Sequence, residues 1–311
     1  MNILVFGKDG QLGRAFKEQL QHSSFHAGNT IKLVDRSDCD LSDSYQITSL
    51  LNNFRPQLII NAAAYTAVDK AESESDIAFA VNADAPGLMA KYAAQYGATI
   101  LHFSTDYVFD GFKQGVHQEV DPCSPLGVYG KSKEAGERAI VEAFATSVVG
   151  RYAILRASWL YGDGNNFIRS ILRLAKERSA LQVIDDQHGA PTSAAWLAEV
   201  GCYLVLDGSQ KRQFTSGVYH AVPPGETSWY GLACLAVQSA LDAGWQLQTS
   251  PASIVPISTS EYPSLAQRPM NSRLSTNKLQ IELERLGLVS KLPHWNTPWD
   301  EQVSTYVKQL S

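Results

Sequence analysis

The run V-Y-G-K-S-K at 128–133 sets a phenol and an ammonium four residues apart. No proline or β-branched residue lies between them. If the segment opens a helix, Tyr129 and Lys133 leave the same face. A free phenol has a pKa near ~10 and donates its proton reluctantly at neutral pH. An ammonium at close range favours the phenolate, so the pattern predicts that Lys133 lowers the pKa of Tyr129. Upstream, F-S-T-D-Y-V-F-D-G at 103–111 follows an apolar run. If that run is a strand of a parallel sheet, Ser104 and Thr105 stand at its carboxyl end, where such sheets bind ligands. The chemistry this trio suits is reduction of a ketone. A carbonyl that accepts hydride becomes an alkoxide, which Tyr129 can protonate while Thr105 orients the oxygen. A Tyr–Lys pair at this spacing is common on helix surfaces, so the elements around it must decide.

Those elements alternate. Apolar runs at 3–6, 31–34, 58–60, 99–103 and 152–155 read as strands buried on both faces. Helical patterns lie between them at 11–20, 45–53, 72–96 and 129–144. Strand–helix alternation of this kind predicts a Rossmann-type, doubly wound parallel sheet. Helices are also expected at 167–178, 192–206, 277–286 and 299–310, with strands at 181–184 and 218–222. The expected division is a dinucleotide-binding unit over 1–165, with a return at 190–222. A smaller α/β substrate lobe would comprise 166–189 and 223–311.

Between the first strand and its helix stands G-K-D-G-Q-L-G. Gly7 permits a tight turn, Gly10 leaves room for a pyrophosphate, and Gly13 lets the helix approach the strand. The helix N-terminus then offers free N–H groups to an anion. The second strand ends at Asp35-Arg36. An acidic residue there can bind ribose hydroxyls and an arginine can receive a 2′-phosphate, so the pair predicts use of NADH or NADPH.

The 311 residues, 44% hydrophobic and 18% charged, can bury a substantial core. The net charge of −5 argues against nucleic acid or an anionic membrane as partner. Four scattered cysteines and seven unclustered histidines form no metal-ligand pattern and fit a reducing cytoplasm. No run of 18 apolar residues suggests a membrane span.

The glycine pattern, S-T-D-Y-V-F-D-G and Y-G-K-S-K resemble the extended short-chain dehydrogenase/reductase superfamily. Five stretches are similar to the dTDP-4-dehydrorhamnose reductase family over nearly the whole chain: N-A-A-A-Y-T-A-V-D-K-A-E (61–72), F-S-T-D-Y-V-F-D-G (103–111), S-P-L-G-V-Y-G-K (124–131), Q-H-G-A-P-T (187–192) and R-P-M-N-S-R-L (268–274). The resemblance implies reduction of the 4-keto group of a dTDP-6-deoxyhexulose by NADPH or NADH. It implies Tyr129 as proton donor, with Lys133 and Thr105 completing the triad. Gly10, Gln11 and Leu12 would line the pyrophosphate, and Asp40 and Leu41 would flank the adenine. Ala62, Ala63 and Ala64 would leave room for the cofactor. Asp106, Trp159, Asn166, Arg268 and Asn271 would meet the sugar nucleotide. Some members dimerise around magnesium held by glutamates. The aligned positions here hold Ala15 and Ala195, so neither that metal nor that dimer is carried over, and a monomer or homodimer is expected. Two other readings compete. One is a noncatalytic NADP-binding subunit of the methionine adenosyltransferase type. The other is an epimerase or dehydratase acting on another nucleotide sugar.

Overall fold

The computed structural model describes residues 1–21, 23–26, 28–206, 213–262 and 264–310. Its centre is a six-stranded parallel sheet. Five strands come from the first half: β1 (Asn2–Phe6), β2 (Thr30–Val34), β3 (Leu58–Asn61), β4 (Thr99–Thr105) and β5 (Arg151–Ala157). The sixth, Gly217–His220, pairs with β5. The spatial order is β2, β1, β3, β4, β5 and then Gly217–His220. The chain winds one way from β1 to β2 and the other way from β3 onward. The carboxyl ends of β1 and β3 therefore flank a switch point, where the loops diverge and leave a crevice.

Helices cover both faces, which is why the central strands are apolar throughout. One face packs against helices Gln11–Gln21 and Ala194–Leu206, with Ile3, Val5, Phe16, Leu101, Phe103 and Leu197 buried between them. The other packs against helices Ser44–Phe54, Ala85–Tyr96 and Val128–Phe144, over Leu4, Ile59, Met89, Ile100, Ile140 and Ile154. Leu279, Leu283, Leu292 and Trp295, which lie in the stretch that the sequence division gives to the second lobe, join the first of these cores.

The helical pattern expected over 72–96 is broken. Helices Val68–Ala71 and Ser75–Phe79 lead into a π-turn, Ala80–Asp84, before helix Ala85–Tyr96 begins. Pro86 near the start of that last helix has no N–H to donate. The wider turn absorbs the mismatch. It also aims the Asn82 side chain at the backbone of Tyr65 and at Ser132 Oγ, at 2.9–3.0 Å.

Apart from the sheet, helices Phe167–Glu177, Trp229–Asp242 and Trp299–Gln309 pack together in the stretch expected to form a second lobe. Leu172, Leu232, Ala236, Val303 and Val307 are buried where they meet. Helix Trp229–Asp242 was absent from the sequence expectation. It carries almost no charge, so no polar face marks its period. Its one local signal is Ser228, whose hydroxyl caps it by accepting from Gly231 N at 3.0 Å. Short strands link this lobe together, including Leu181–Ile184 paired with Ile254–Ile257. No helix among the described residues is long and apolar enough to cross a membrane.

One buried ion pair ties a helix to the sheet. Arg156 on β5 donates to both carboxylate oxygens of Glu137 at 2.8 and 2.6 Å, with both side chains almost wholly buried. Removing one partner strands the other charge in the core. Arg156→Met should therefore lower stability by about 3–5 kcal/mol, as measured by urea unfolding.

Candidate active site

At the switch point the loops enclose a cleft of about 860 Å³. Gly7 ends β1 with φ +84°, a conformation that suits a residue with no side chain. A Cβ on Gly13 would fall 1.9 Å from the Gly7 carbonyl oxygen, so only glycine lets helix Gln11–Gln21 start this close to β1. The first turn of that helix presents N–H groups without intrahelical acceptors. Gly10, Gln11 and Leu12 line the cleft there, while Gly13 lies beneath and does not. Ala62, Ala63 and Ala64 form a floor of small side chains beyond β3.

Asp35, Arg36, Asp40 and Leu41 line the far end. Asp35 is heavily engaged. Ser37 donates to Oδ1 from both its backbone N and its hydroxyl, and Lys8 stands 2.9 Å from Oδ2. Those contacts hold the Asp35 carboxyl well below its ordinary range, the Ser37 hydroxyl first and Lys8 second. Arg36 is paired with Asp40 at 3.2 Å on a largely exposed side chain. Lys8 escaped the sequence reading because its relation to Asp35 exists only once β1 and β2 are side by side. A glycine loop, a helix N-terminus, a small-residue floor and a mixed acidic and basic end fit a dinucleotide with an adenosine ribose.

Opposite stands the reactive trio. Thr105 ends β4, and Tyr129 and Lys133 leave the first turns of helix Val128–Phe144. That helix presses hard on the turn after β4. A Cβ on Gly130 would lie 2.2 Å from the Tyr107 carbonyl oxygen. Val128 N, at the helix start, donates to Glu72 Oε1 at 2.9 Å. The Thr105 hydroxyl donates to Asp106 Oδ1 at 3.0 Å and accepts from Tyr107 N at 3.2 Å. Burial pushes Asp106 up to about 6, against hydrogen bonds from Ser272 and Thr105.

The expected effect of Lys133 on Tyr129 is corrected here. Tyr129 is pushed up to about 12, by burial first and the charge of Asp106 second; the lowering contact is a hydrogen bond with Thr105. Lys133 is turned elsewhere. Its Nζ donates to the Phe103 carbonyl at 2.6 Å and lies 3.3 Å from His102 Nε2. The cost of burying the ammonium brings Lys133 down to about 8, against the opposing charge of Glu137.

Asp106 and Trp159 also line the cleft. Trp159 has φ +49° and stacks on Trp229 with ring centroids 3.8 Å apart. Trp229, Tyr107 and Asn165 belong to the lining and were not anticipated. Three anticipated substrate residues do not reach it. Asn166 caps helix Phe167–Glu177, accepting from Arg169 N at 3.0 Å and donating to Tyr306 Oη at 2.9 Å. Arg268 is held by Asp69 at 2.8 Å. Asn271 is buried and donates to the carbonyls of Lys113 and Gly115. In each case the amide or guanidinium satisfies the backbone or a carboxylate of a neighbouring loop.

Comparison with known proteins covers the same span. The family described as RmlD substrate binding domain matches residues 1–310. The dTDP-4-dehydrorhamnose reductase of Salmonella typhimurium is 44% identical over 299 residues, covering 95% of this chain and 94% of that protein. A solved dTDP-4-dehydrorhamnose reductase from Clostridium acetobutylicum superposes with a TM-score of 0.85 at 33% identity, over 100% of this chain and 99% of that one. One from Bacillus anthracis, in complex with NADP, gives 0.82 at 30% identity, with 99% of each chain covered.

Gly130→Ala tests how tightly this edge is built. The added methyl should force the helix away from the Tyr107 carbonyl. NADPH affinity, followed by tryptophan fluorescence, should fall about tenfold, near 1.4 kcal/mol, while far-ultraviolet circular dichroism stays unchanged.

Proposed function

The chain belongs to the dTDP-4-dehydrorhamnose reductase family, and from that membership and the cleft we propose that it reduces the 4-keto group of dTDP-4-dehydro-L-rhamnose to dTDP-L-rhamnose with NADPH or NADH. The observation that carries this is the meeting of Thr105, Tyr129 and Lys133 with the glycine loop in one cleft. When bound, the reduced nicotinamide supplies hydride to the carbonyl carbon. Gly7, Gly10, Gln11 and Leu12 would hold its pyrophosphate at the helix N-terminus. Ala62, Ala63 and Ala64 would leave it space. Asp35 and Asp40 would meet the adenosine end, with Leu41 against the adenine. Arg36 and Lys8 offer cations to a 2′-phosphate, and Asp35 offers an acceptor to ribose hydroxyls, which supports use of both cofactors.

The protein's own part is a proton and a fixed carbonyl. Tyr129, pushed up to about 12, keeps its proton throughout the neutral range. It surrenders that proton only to a stronger base, the alkoxide developing beside it. Thr105 sits between Tyr129 and Asp106, so turning its one hydroxyl proton toward the carbonyl oxygen exchanges the bond to Asp106 for one to the substrate while Tyr107 N still donates to it. Asp106, Trp159 and Trp229 would face the sugar. Arg268 acts by its charge on Tyr107, which lines the cleft. The role of gripping the nucleotide falls to the second lobe, 166–189 and 223–311, less the segment around 279–295 that packs with the unit formed by 1–165 and 190–222. The four cysteines are unpaired, which supports a cytoplasmic setting.

The intact trio favours an active enzyme over a noncatalytic subunit, and the family membership favours a reductase over an epimerase or dehydratase. The test is loss of NADPH absorbance with purified protein and dTDP-4-dehydro-L-rhamnose, yielding dTDP-L-rhamnose. Absence of oxidation would overturn the reading. Tyr129→Phe should lower kcat by about 10²–10⁴-fold while cofactor affinity holds. Thr105→Val should lower kcat by about 10²-fold with a smaller change in KM.

A further inference from the structure

The layer between the sheet and helix Val128–Phe144 is mostly apolar, yet a line of polar side chains crosses it. Alternation along β3 and β4 turns Asn61 and His102 to the face of Ile59 and Ile100. Strand register sets Asn61 directly beside His102. Their exposures are 1% and 0%. Along the line, Ala63 N donates to Asn61 Oδ1 at 3.3 Å. Asn61 Nδ2 lies 3.1 Å from His102 Nδ1, and His102 Nε2 lies 3.3 Å from Lys133 Nζ. Lys133 Nζ donates to the Phe103 carbonyl at 2.6 Å.

The partners fix the direction of each hydrogen bond. The Ala63 N–H takes the amide oxygen of Asn61, so the NH₂ group faces the imidazole. An amide NH₂ only donates, so Nδ1 accepts. The neutral ring then carries its proton on Nε2, aimed at Lys133. An ammonium has no lone pair to meet that proton, whereas an amine has one. We propose that His102 is a positioning residue for Lys133: Asn61 locks its tautomer, and its Nε2–H turns toward the lysine nitrogen and favours the amine over the ammonium. The catalytic meaning of this arrangement rests on the reductase reading; the tautomer does not.

Other groups around Lys133 act with or against it. Burial lowers Lys133 and also holds His102 neutral. Glu137, one turn along the same helix, opposes by its charge, but that charge is matched by Arg156 at 2.6 Å. Tyr129 lies one turn before, and Asp106 lies beside Thr105 at the same edge of the cleft. The consequence is a lysine that parts readily with a proton. After Tyr129 has protonated the substrate oxygen, its phenolate takes up one proton to return to phenol. Lys133, whose Nζ is held by Phe103 and His102, can supply that proton through water in the cleft, leaving the amine, which then takes up one proton from solvent.

The tautomer can be read without substrate, from the long-range proton–nitrogen spectrum of ¹⁵N-histidine-labelled, ligand-free protein. An Nε2–H pattern for His102 supports the proposal, and an Nδ1–H pattern overturns it. Asn61→Leu supplies the second measurement. It removes the donor to Nδ1 without adding a charge, so the ring proton can move to Nδ1 and Nε2 becomes an acceptor for the ammonium. The alkaline limb of kcat, expected near pH 8 in the wild type, should then move up by about half a pH unit or more, roughly threefold in proton affinity. A histidine that merely fills the core would lower the melting temperature and leave the limb in place, which would overturn the proposal. A wild-type protein inert toward the keto sugar would count against the reductase reading alone, and the spectrum would still decide the role of His102.

Discussion

How closely helix Val128–Phe144 lies on the end of β4 governs the site and much of the core beneath it. Gly130 faces the Tyr107 carbonyl and Gly136 faces the Asn82 carbonyl, both closer than any side chain would allow. That approach carries two charged residues of the helix, Lys133 and Glu137, under it and out of water. Burying a charge is expensive unless it is matched. Glu137 is matched by the fork of Arg156. Lys133 is met by the Phe103 carbonyl, and the imidazole of His102 beside it favours its uncharged form. The same constraint that brings Tyr129 to Thr105 therefore dictates which polar groups β4 and β5 must carry on their inner face.

The remainder of the cleft follows from strand order. Because β1 lies between β2 and β3, the loops after β1 and β3 part, and a crevice opens between a glycine turn and an alanine floor. Stacked aromatic rings line the other side. Trp159 holds a left-handed backbone conformation there, which costs a residue with a side chain about 1–3 kcal/mol. Its indole is supported by Trp229 from a helix far along the chain. A strained residue with such support lines the cleft.

Electrostatics divides the work between the two ends of the cleft. At the end beyond β2, partly exposed charges lie in mutual pairs, Lys8 with Asp35 and Arg36 with Asp40. Water screens such pairs, and a phosphate can replace one partner at little penalty. At the reactive end the charges are buried, and each shift runs toward the neutral form: Asp106 up, Tyr129 up, Lys133 down. A site that holds its acids and bases near neutrality can move a proton without first separating charge.

The periodic pattern of residues was enough to specify the parallel sheet, the glycine turn and the trio at its edge. Each depends on alternation or on spacing within one element. The bounds of most elements agree to within a residue or two. Failures occurred where neighbours far apart in sequence decide. Helix Trp229–Asp242 has no polar face, because the second lobe surrounds it. The 72–96 pattern breaks at a π-turn that pairs Asn82 with Tyr65 and Ser132. Asn166, Arg268 and Asn271 are engaged by nearby backbone and carboxylate groups, partners that no local spacing shows. The partner of Lys133 was misjudged for the same reason. Spacing of four residues shows that Tyr129 and Lys133 share a helix face. Only the packed sheet decides that the lysine nitrogen turns inward, to the Phe103 carbonyl beside His102, because a buried donor takes whichever acceptor the tertiary structure sets within reach.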